Sequence, residues 1–202
     1  KNALFWRRNG TSLEDWSERP VNAAVEGWTD LAASLLASDS YFVEFCSARL
    51  EGLAATVERH RKVGLEPWTR YVIVKSSPAP TARPTFATAF EEAVISRRGT
   101  PTWYGGGYTP NRWIGQTPNG SRDGLGHPTE KPLEPILAIV RALSESGALL
   151  LDPFCGSGTM LEAAKLSGLR AIGIEIEPRY CEIAVKRLRQ DVLDFSPSRT
   201  GP

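Results

Sequence analysis

Leu149-Leu-Leu-Asp-Pro-Phe-Cys-Gly-Ser-Gly-Thr159, followed shortly by Ala171-Ile-Gly-Ile-Glu175, is the part of this chain from which the fold can be read. The apolar run Ala148–Leu151 has no polar alternation, the mark of a strand in a parallel sheet covered on both faces. Asp152 to Gly158 then forms a turn ahead of a helix over Thr159–Leu166, with glycines where a backbone must approach a ligand closely. Ligands of such sheets collect beyond the carboxyl ends of the strands. The next strand, Ala171–Ile174, delivers Glu175 to that same edge, where a carboxylate can take both hydroxyls of a ribose. The third glycine of a G-x-G-x-x-G loop is absent, its place being held by Leu161, and no Walker lysine follows. A nucleoside-bearing ligand without a pyrophosphate fits this loop.

Outward from that core, the apolar pattern continues the alternation of strands and helices. A helix follows over Arg179–Arg189, with Lys186, Arg187 and Arg189 as its polar face. Upstream, Pro132 opens a helix with Leu133, Ile136, Leu137, Val140 and Leu143 on its inner face. Further back, the spacing predicts a helix over Ala23–Leu36 with Val25, Trp28, Leu31, Ala32 and Leu35 inward. It also predicts a strand at Tyr41–Phe45, a helix at Leu50–Lys62 closed by Gly64, and strands at Tyr71–Val74 and Ala93–Ile95. Ser76–Pro84 reads as a proline-rich loop, and 97–126 as a second, longer loop. The whole reads as one doubly wound α/β domain over 1–202.

Composition narrows the function class. With 24 basic and 23 acidic residues the chain carries a net charge of +1, so any nucleic-acid binding must come from local clustering. No apolar run has the length of a membrane span, and no secretory signal opens the chain. Cys46, Cys155 and Cys181 are odd in number and widely spaced, which argues against a disulfide framework or zinc site and for a reducing, cytoplasmic setting.

Three quoted segments, His127-Pro-Thr-Glu-Lys-Pro132, the Leu149–Thr159 stretch and Gly173-Ile-Glu-Ile-Glu-Pro-Arg-Tyr180, closely resemble the S-adenosylmethionine-binding half of amino-group DNA methyltransferases. Their order is similar to the β class, whose motif order is circularly permuted. The resemblance implies a Rossmann-like class I methyltransferase sheet with helices on both faces and a cofactor-binding half over 127–190. It implies that Asp152, Pro153, Phe154, Cys155, Gly156, Ser157 and Gly158 wrap the cofactor, that Glu175 binds its ribose, and that Thr129 and Lys131 meet its methionine carboxylate. Phe154 either lies near the sulfonium or packs beneath the loop. His127 shapes a turn, Cys155 fills a place suited to a small residue, and no metal is expected.

The implied reaction is methyl transfer from S-adenosylmethionine to the exocyclic amine of adenine (N6) or cytosine (N4) in DNA, in a restriction–modification setting. Family members orient the flipped base with Asp, Asn or Ser followed by Pro-Pro and an aromatic residue. This sequence contains no Pro-Pro, and Ser77-Pro-Ala-Pro80 lacks the aromatic and comes too late. The expectation is that the catalytic motif lies upstream of Lys1, leaving the catalytic residues unknown; the alternative is a cofactor- or DNA-binding relative without catalysis. RNA as the substrate is a further alternative, and a homodimer is compatible.

A candidate nucleic-acid surface lies in the 97–126 loop, between the last sheet strands and the lysine motif. There Arg97, Arg98, Arg112 and Arg122 alternate with Trp103, Tyr104, Tyr108 and Trp113, with no acidic residue from 97 to 122. Arginines contact phosphates or guanine edges and aromatic rings stack on bases. A solvated loop or a dimer contact is the competing reading. Phe5-Trp-Arg-Arg8 is a weaker candidate, with Glu14, Asp15 and Glu18 close behind.

Overall fold

The computed structural model describes residues 27–46, 50–76, 88–116 and 130–189. In chain order these form α1 (Trp28–Leu35), β1 (Ser40–Cys46), α2 (Leu50–Lys62), β2 (Glu66–Lys75), β3 (Phe90–Arg98), β4 (Arg112–Gly115), α3 (Leu133–Leu143), β5 (Leu149–Asp152), α4 (Thr159–Leu166), β6 (Arg170–Gly173) and α5 (Pro178–Arg189). Four strands pair in the order β1-β3-β2-β4, and β5 pairs with β6 in parallel. The sheet is mixed: β3 runs antiparallel to both neighbours, while β2 and β4 are parallel. The expectation of helices on both faces holds, and the parallel pairing read from the Ala148–Leu151 run is that of β5 with β6. Residue 74 pairs directly with residue 90, so β3 returns along β2.

Side-chain alternation along β1 builds two layers. Tyr41, Val43 and Phe45 face a core shared with Ile73 of β2, Ile95 of β3, Ile136, Ile139 and Leu143 of α3, Leu150 of β5 and Met160 of α4. Phe42 faces the other way, towards Ala32, Ala33 and Leu36, where Trp28 and Leu151 are partly buried. Since Leu150 joins the first layer and Leu151 the second, β5 continues the layering of β1. Leu149 and Leu151 are only half-buried, and all four residues of β6 are exposed, so the parallel pair is less covered than its apolar composition implies.

Glu44 also faces the second layer, and burying its carboxylate requires partners. His60 of α2 supplies one, with Nε2 3.0 Å from Glu44 Oε2, while its Nδ1 lies 2.7 Å from Ser96 Oγ of β3. Arg59 pairs with the other Glu44 oxygen. All of Glu44, His60 and Ser96 are buried, so this chain of contacts fastens α2 to the sheet rather than meeting a substrate.

Two local expectations need correction. The α1 periodicity points Leu31 and Leu35 inward, but they are 66% and 59% exposed, while Thr29, Ala32 and Ala33 are buried. Apolar residues lie around much of this short helix, so the small residues that allow close approach to Phe42 choose the face. Leu31→Ser and Leu35→Ser are expected to change the unfolding free energy by no more than about 0.5 kcal/mol in urea titration. A loss of about 2 kcal/mol from either would place that side chain in a covered environment. Pro132 is the residue before α3 rather than its first helical residue, and Ile139 joins the inner face. Val25 and the segment 77–87, which holds most of the expected proline-rich loop, lie outside the described residues, as do Phe5–Arg8. Among the described residues no helix is long and apolar enough to cross a membrane.

Candidate functional site

The carboxyl ends of β5 and β6 meet at the glycine turn. Ile174 N–H donates to the Asp152 carbonyl at 2.8 Å and Cys155 N–H donates to the Ile174 carbonyl at 2.9 Å, so the turn after β5 is stitched to the end of β6. Gly156 and Gly158 have φ of 52° and 81°, conformations that cost an L side chain strain. At Gly173 a Cβ would lie 2.5 Å from Leu161 Cδ1 and 2.9 Å from Cys155 Sγ. Glycine is therefore required there by close approach rather than by backbone angle.

This turn aims two carboxylates. Asp152 is 1% exposed, with Oδ1 accepting from the Phe154 N–H at 3.0 Å. Burial pushes its carboxyl up to about 8; the Phe154 N–H pulls it back and the negative Glu175 adds to the rise. Glu175 accepts from Gly156 N–H through Oε2 and from Glu177 N–H through Oε1, both at 2.9 Å. Each oxygen keeps a lone pair for a hydroxyl donor. Cys155 is a poor nucleophile, because burial, then Asp152 and Glu175, push its thiol up to about 12.

Lys131 enters from the segment before α3. Together with Ile136, Asp152, Phe154, Cys155, Gly156, Ser157, Thr159 and Met160 it lines a narrow cleft of about 20 Å³. Its ammonium pairs with Glu91 at the start of β3, which also bridges to Lys75 of β2 at 2.7 Å, and it lies 4.8 Å from the Phe45 ring centroid. Phe154 packs edge-on against Trp28, with ring centroids 5.4 Å apart. That contact is the packing alternative for this ring. Thr129, His127 and Arg122 lie outside the described residues.

The expected nucleic-acid residues divide into two places. Arg97 and Arg98 belong to β3, and Arg112 and Trp113 to β4, so 97–126 is not a single loop. The residues of β3 extend beyond the apolar triplet because cross-strand pairing with Ser40, Tyr41 and Glu66 carries the ladder to Arg98. Arg97 pairs with Glu66 at 2.6 Å and lies over Trp68 at 5.2 Å; Arg98 donates to the Leu36 carbonyl at 3.4 Å. Trp103 meets Trp68 edge-on, Tyr104 reaches Glu145 ahead of β5, and Tyr108 is fully exposed. These residues lie at the starts of β1, β2 and β5, the edge opposite the glycine turn. Arg112 is exposed, whereas Trp113 packs on the core and donates to Glu134 Oε2 at 3.0 Å.

A cavity of about 620 Å³ is also at this far edge, bounded by Trp68, Tyr71, Trp103, Tyr108 and the last turns of α3. It is the roomier of the two but apolar, and among the described residues no ionisable group other than tyrosine lines it. The small cleft is the better candidate site because the Lys131 ammonium and the Asp152 carboxyl converge on it.

Arg187 corrects the reading of α5. It is 6% exposed, not part of a solvent face. Its spacing from Tyr180 and Ala184, both buried, was the available signal: one face of a helix recurs at these intervals. Its contacts, and those of Glu91 and Glu130, join segments distant in sequence and left no local pattern.

The family profile for N6 and N4 methyltransferases, described as DNA methylase, matches residues 9–186. The chain is similar to the Type II methyltransferase M2.DpnII of Streptococcus pneumoniae, with 46% identity over 65 residues, 32% of this chain and 24% of that protein. It is also similar to the DNA adenine methyltransferase YhdJ of Escherichia coli, with 44% identity over 62 residues, 31% of this chain and 21% of that protein. The matches thus span about a quarter or less of the length of these curated relatives. Among solved structures, the M1.HpyAVI–SAM complex superposes with a TM-score of 0.73 at 24% identity, covering 93% of this chain and 88% of that one. The cytosine-N4-specific PvuII DNA methyltransferase gives 0.70 at 14% identity, covering 94% and 80%. At these identities the two structures establish the fold, a class I methyltransferase sheet. The profile match, which runs through most of the sequence, establishes the lineage: this chain belongs to the DNA methylase family.

Proposed function

We propose that this chain binds S-adenosylmethionine in the cleft between the glycine turn and Lys131, for methyl transfer to the exocyclic amine of adenine (N6) or cytosine (N4) in DNA. The observation that carries the reading is the buried Asp152 carboxyl, set beside Glu175 and facing Lys131 across one cleft at the carboxyl ends of the strands. A buried carboxyl with a raised affinity for its proton suits a cationic ligand, which would take the place of that proton. Gly158 and Gly173 let the turn seat closely on its supports, since a Cβ there would meet Ala184 of α5, or Leu161 and Cys155.

When bound, the cofactor supplies a methyl group on a sulfonium, ready for in-line transfer to a nitrogen lone pair. The chain's own work is to hold and orient. Glu175, fixed by two backbone N–H groups, would accept from the ribose hydroxyls. Lys131 would meet the methionine carboxylate by sharing its donors with Glu91, an arrangement that the three N–H bonds of an ammonium permit. The turn from Pro153 to Gly158 would enclose the ligand and exclude water. On β4, Arg112 is the cationic residue best exposed for a DNA phosphate.

Mass spectrometry of nucleosides from unmethylated DNA incubated with S-adenosylmethionine and the full-length protein that carries this chain tests the proposal. N6-methyladenine or N4-methylcytosine is the expected product and names the base. The competing reading is a cofactor-binding relative without catalysis. Cofactor binding with no methylated nucleoside on either DNA or RNA is the result that selects it. Arg112→Ala is expected to weaken DNA binding by about 1 kcal/mol at low salt and to leave cofactor affinity alone; unchanged DNA affinity would remove β4 from the interface.

A further inference from the structure

Arg187 of α5 gathers three segments around one guanidinium. Its Nη1 donates to Thr159 Oγ1 at 2.6 Å, at the start of α4, and reaches Ser157 Oγ of the glycine turn at 3.5 Å. Its Nη2 pairs with Glu130, whose side chain is 9% exposed, and its Nε lies 3.4 Å from Glu162 Oε2. Glu130 immediately precedes Lys131, and Lys131 pairs with Glu91 on β3. The dipeptide Glu130-Lys131 is therefore held at one residue by α5 and at the next by the four-stranded sheet.

Both segments that Arg187 holds meet at the cleft: Ser157 and Thr159 line it, and so does Lys131, next to Glu130, whereas Glu175 lies outside its lining, at the turn on the β6 side. We propose that Arg187 is a positioning residue for this cleft: it sets the glycine turn and the Glu130-Lys131 segment at a fixed separation, and so governs recognition of the amino-acid portion of the ligand. The inference rests on the cofactor reading above. A guanidinium suits the task because its planar fork presents five donors in fixed directions, so it can serve a carboxylate and a hydroxyl at once. An ammonium at this position could keep the pair with Glu130 but not span to Thr159 in the same geometry. The half-buried Glu130 and Glu162 carboxylates also need the positive charge, because two anions there would repel each other.

The test compares two ligands that share the nucleoside and differ in the amino acid: S-adenosylhomocysteine, which has it, and 5′-methylthioadenosine, which lacks it. Each is titrated calorimetrically into the 202-residue chain and into its Arg187→Met and Arg187→Lys variants, with thermal unfolding of each in parallel. Arg187→Met is expected to weaken S-adenosylhomocysteine by about tenfold or more and 5′-methylthioadenosine by less than about threefold. Arg187→Lys is expected to show the same selectivity with a smaller loss. Equal weakening of both ligands, or no weakening of either, overturns the assignment. A general loss of packing would move the two affinities together, which separates a positioning role from a structural one. If Arg187→Met does not fold, Arg187→Lys decides by the same criterion. If the unsubstituted chain binds neither ligand, the cofactor reading itself falls, and the Arg187 assignment with it.

Discussion

Asp152→Asn is expected to reduce affinity for S-adenosylhomocysteine or S-adenosylmethionine by about 100-fold or more while leaving the empty chain more stable at pH 8 than the unsubstituted one. The two effects share one cause. Asp152 is buried and its carboxyl is pushed up to about 8 from an ordinary 3.8, chiefly because burial disfavours its charged form. Between those values the folded chain holds a proton that the unfolded chain has released. The stability contribution is thus complete below the unfolded value and is lost as pH rises towards the folded one, at up to about 1.4 kcal/mol per pH unit. Asparagine keeps the shape and the acceptor for Phe154 N–H and removes the titration. Its stability relative to the unsubstituted chain should therefore increase from about pH 4 to pH 8, as read from urea midpoints.

The ligand reverses the preference. A cationic amino-acid and sulfonium portion favours the ionised carboxylate, so binding near neutral pH should drive off a proton and affinity should rise from about pH 6 to pH 8. Calorimetry in two buffers of different ionisation enthalpy reads that proton directly. Proton uptake on binding, or asparagine affinity within a few-fold of the original, would take Asp152 out of the site.

Gly158→Val is expected to cost about 3 kcal/mol or more and to abolish cofactor binding. Gly158 is the residue from which α4 starts, with φ 81° and ψ 18°, a left-handed conformation that β-branched residues resist. A Cβ there would lie 2.9 Å from Ala184 Cβ and 3.2 Å from Ala184 Cα, so α5 itself would have to withdraw. Gly147 is the control, having φ 80° and nothing within 4 Å of where a Cβ would lie. Gly147→Ala should cost only the backbone strain, about 1 kcal/mol. The excess loss in Gly158→Ala over Gly147→Ala, measured by urea unfolding, is the cost of the α5 contact. Equal losses would mean that α5 yields freely.

Whatever depends on neighbouring residues could be read from the chain alone. The strand at β5, the Gly156-Ser157-Gly158 turn and the position of Glu175 after β6 are each local patterns and were legible as such, although β5 and β6 are less covered than the apolar run implies. The starts and ends of α2 and α4 were legible for the same reason, since helical periodicity and positive-φ glycines act within a few residues. Tertiary packing decided the rest. Only the fit of small residues against Phe42 turned Leu31 and Leu35 outward, and only cross-strand pairing drew Arg97 and Arg98 into β3, at the edge away from the cleft. Lys131 was visible as a cation, but its partner Glu91 comes from another strand, and Arg187 reads as a surface charge until α4 and Glu130 close around it. Periodicity specifies that a face is buried; which distant group meets it depends on how separate elements pack, and a charge goes inside only where such a partner offsets its loss of water.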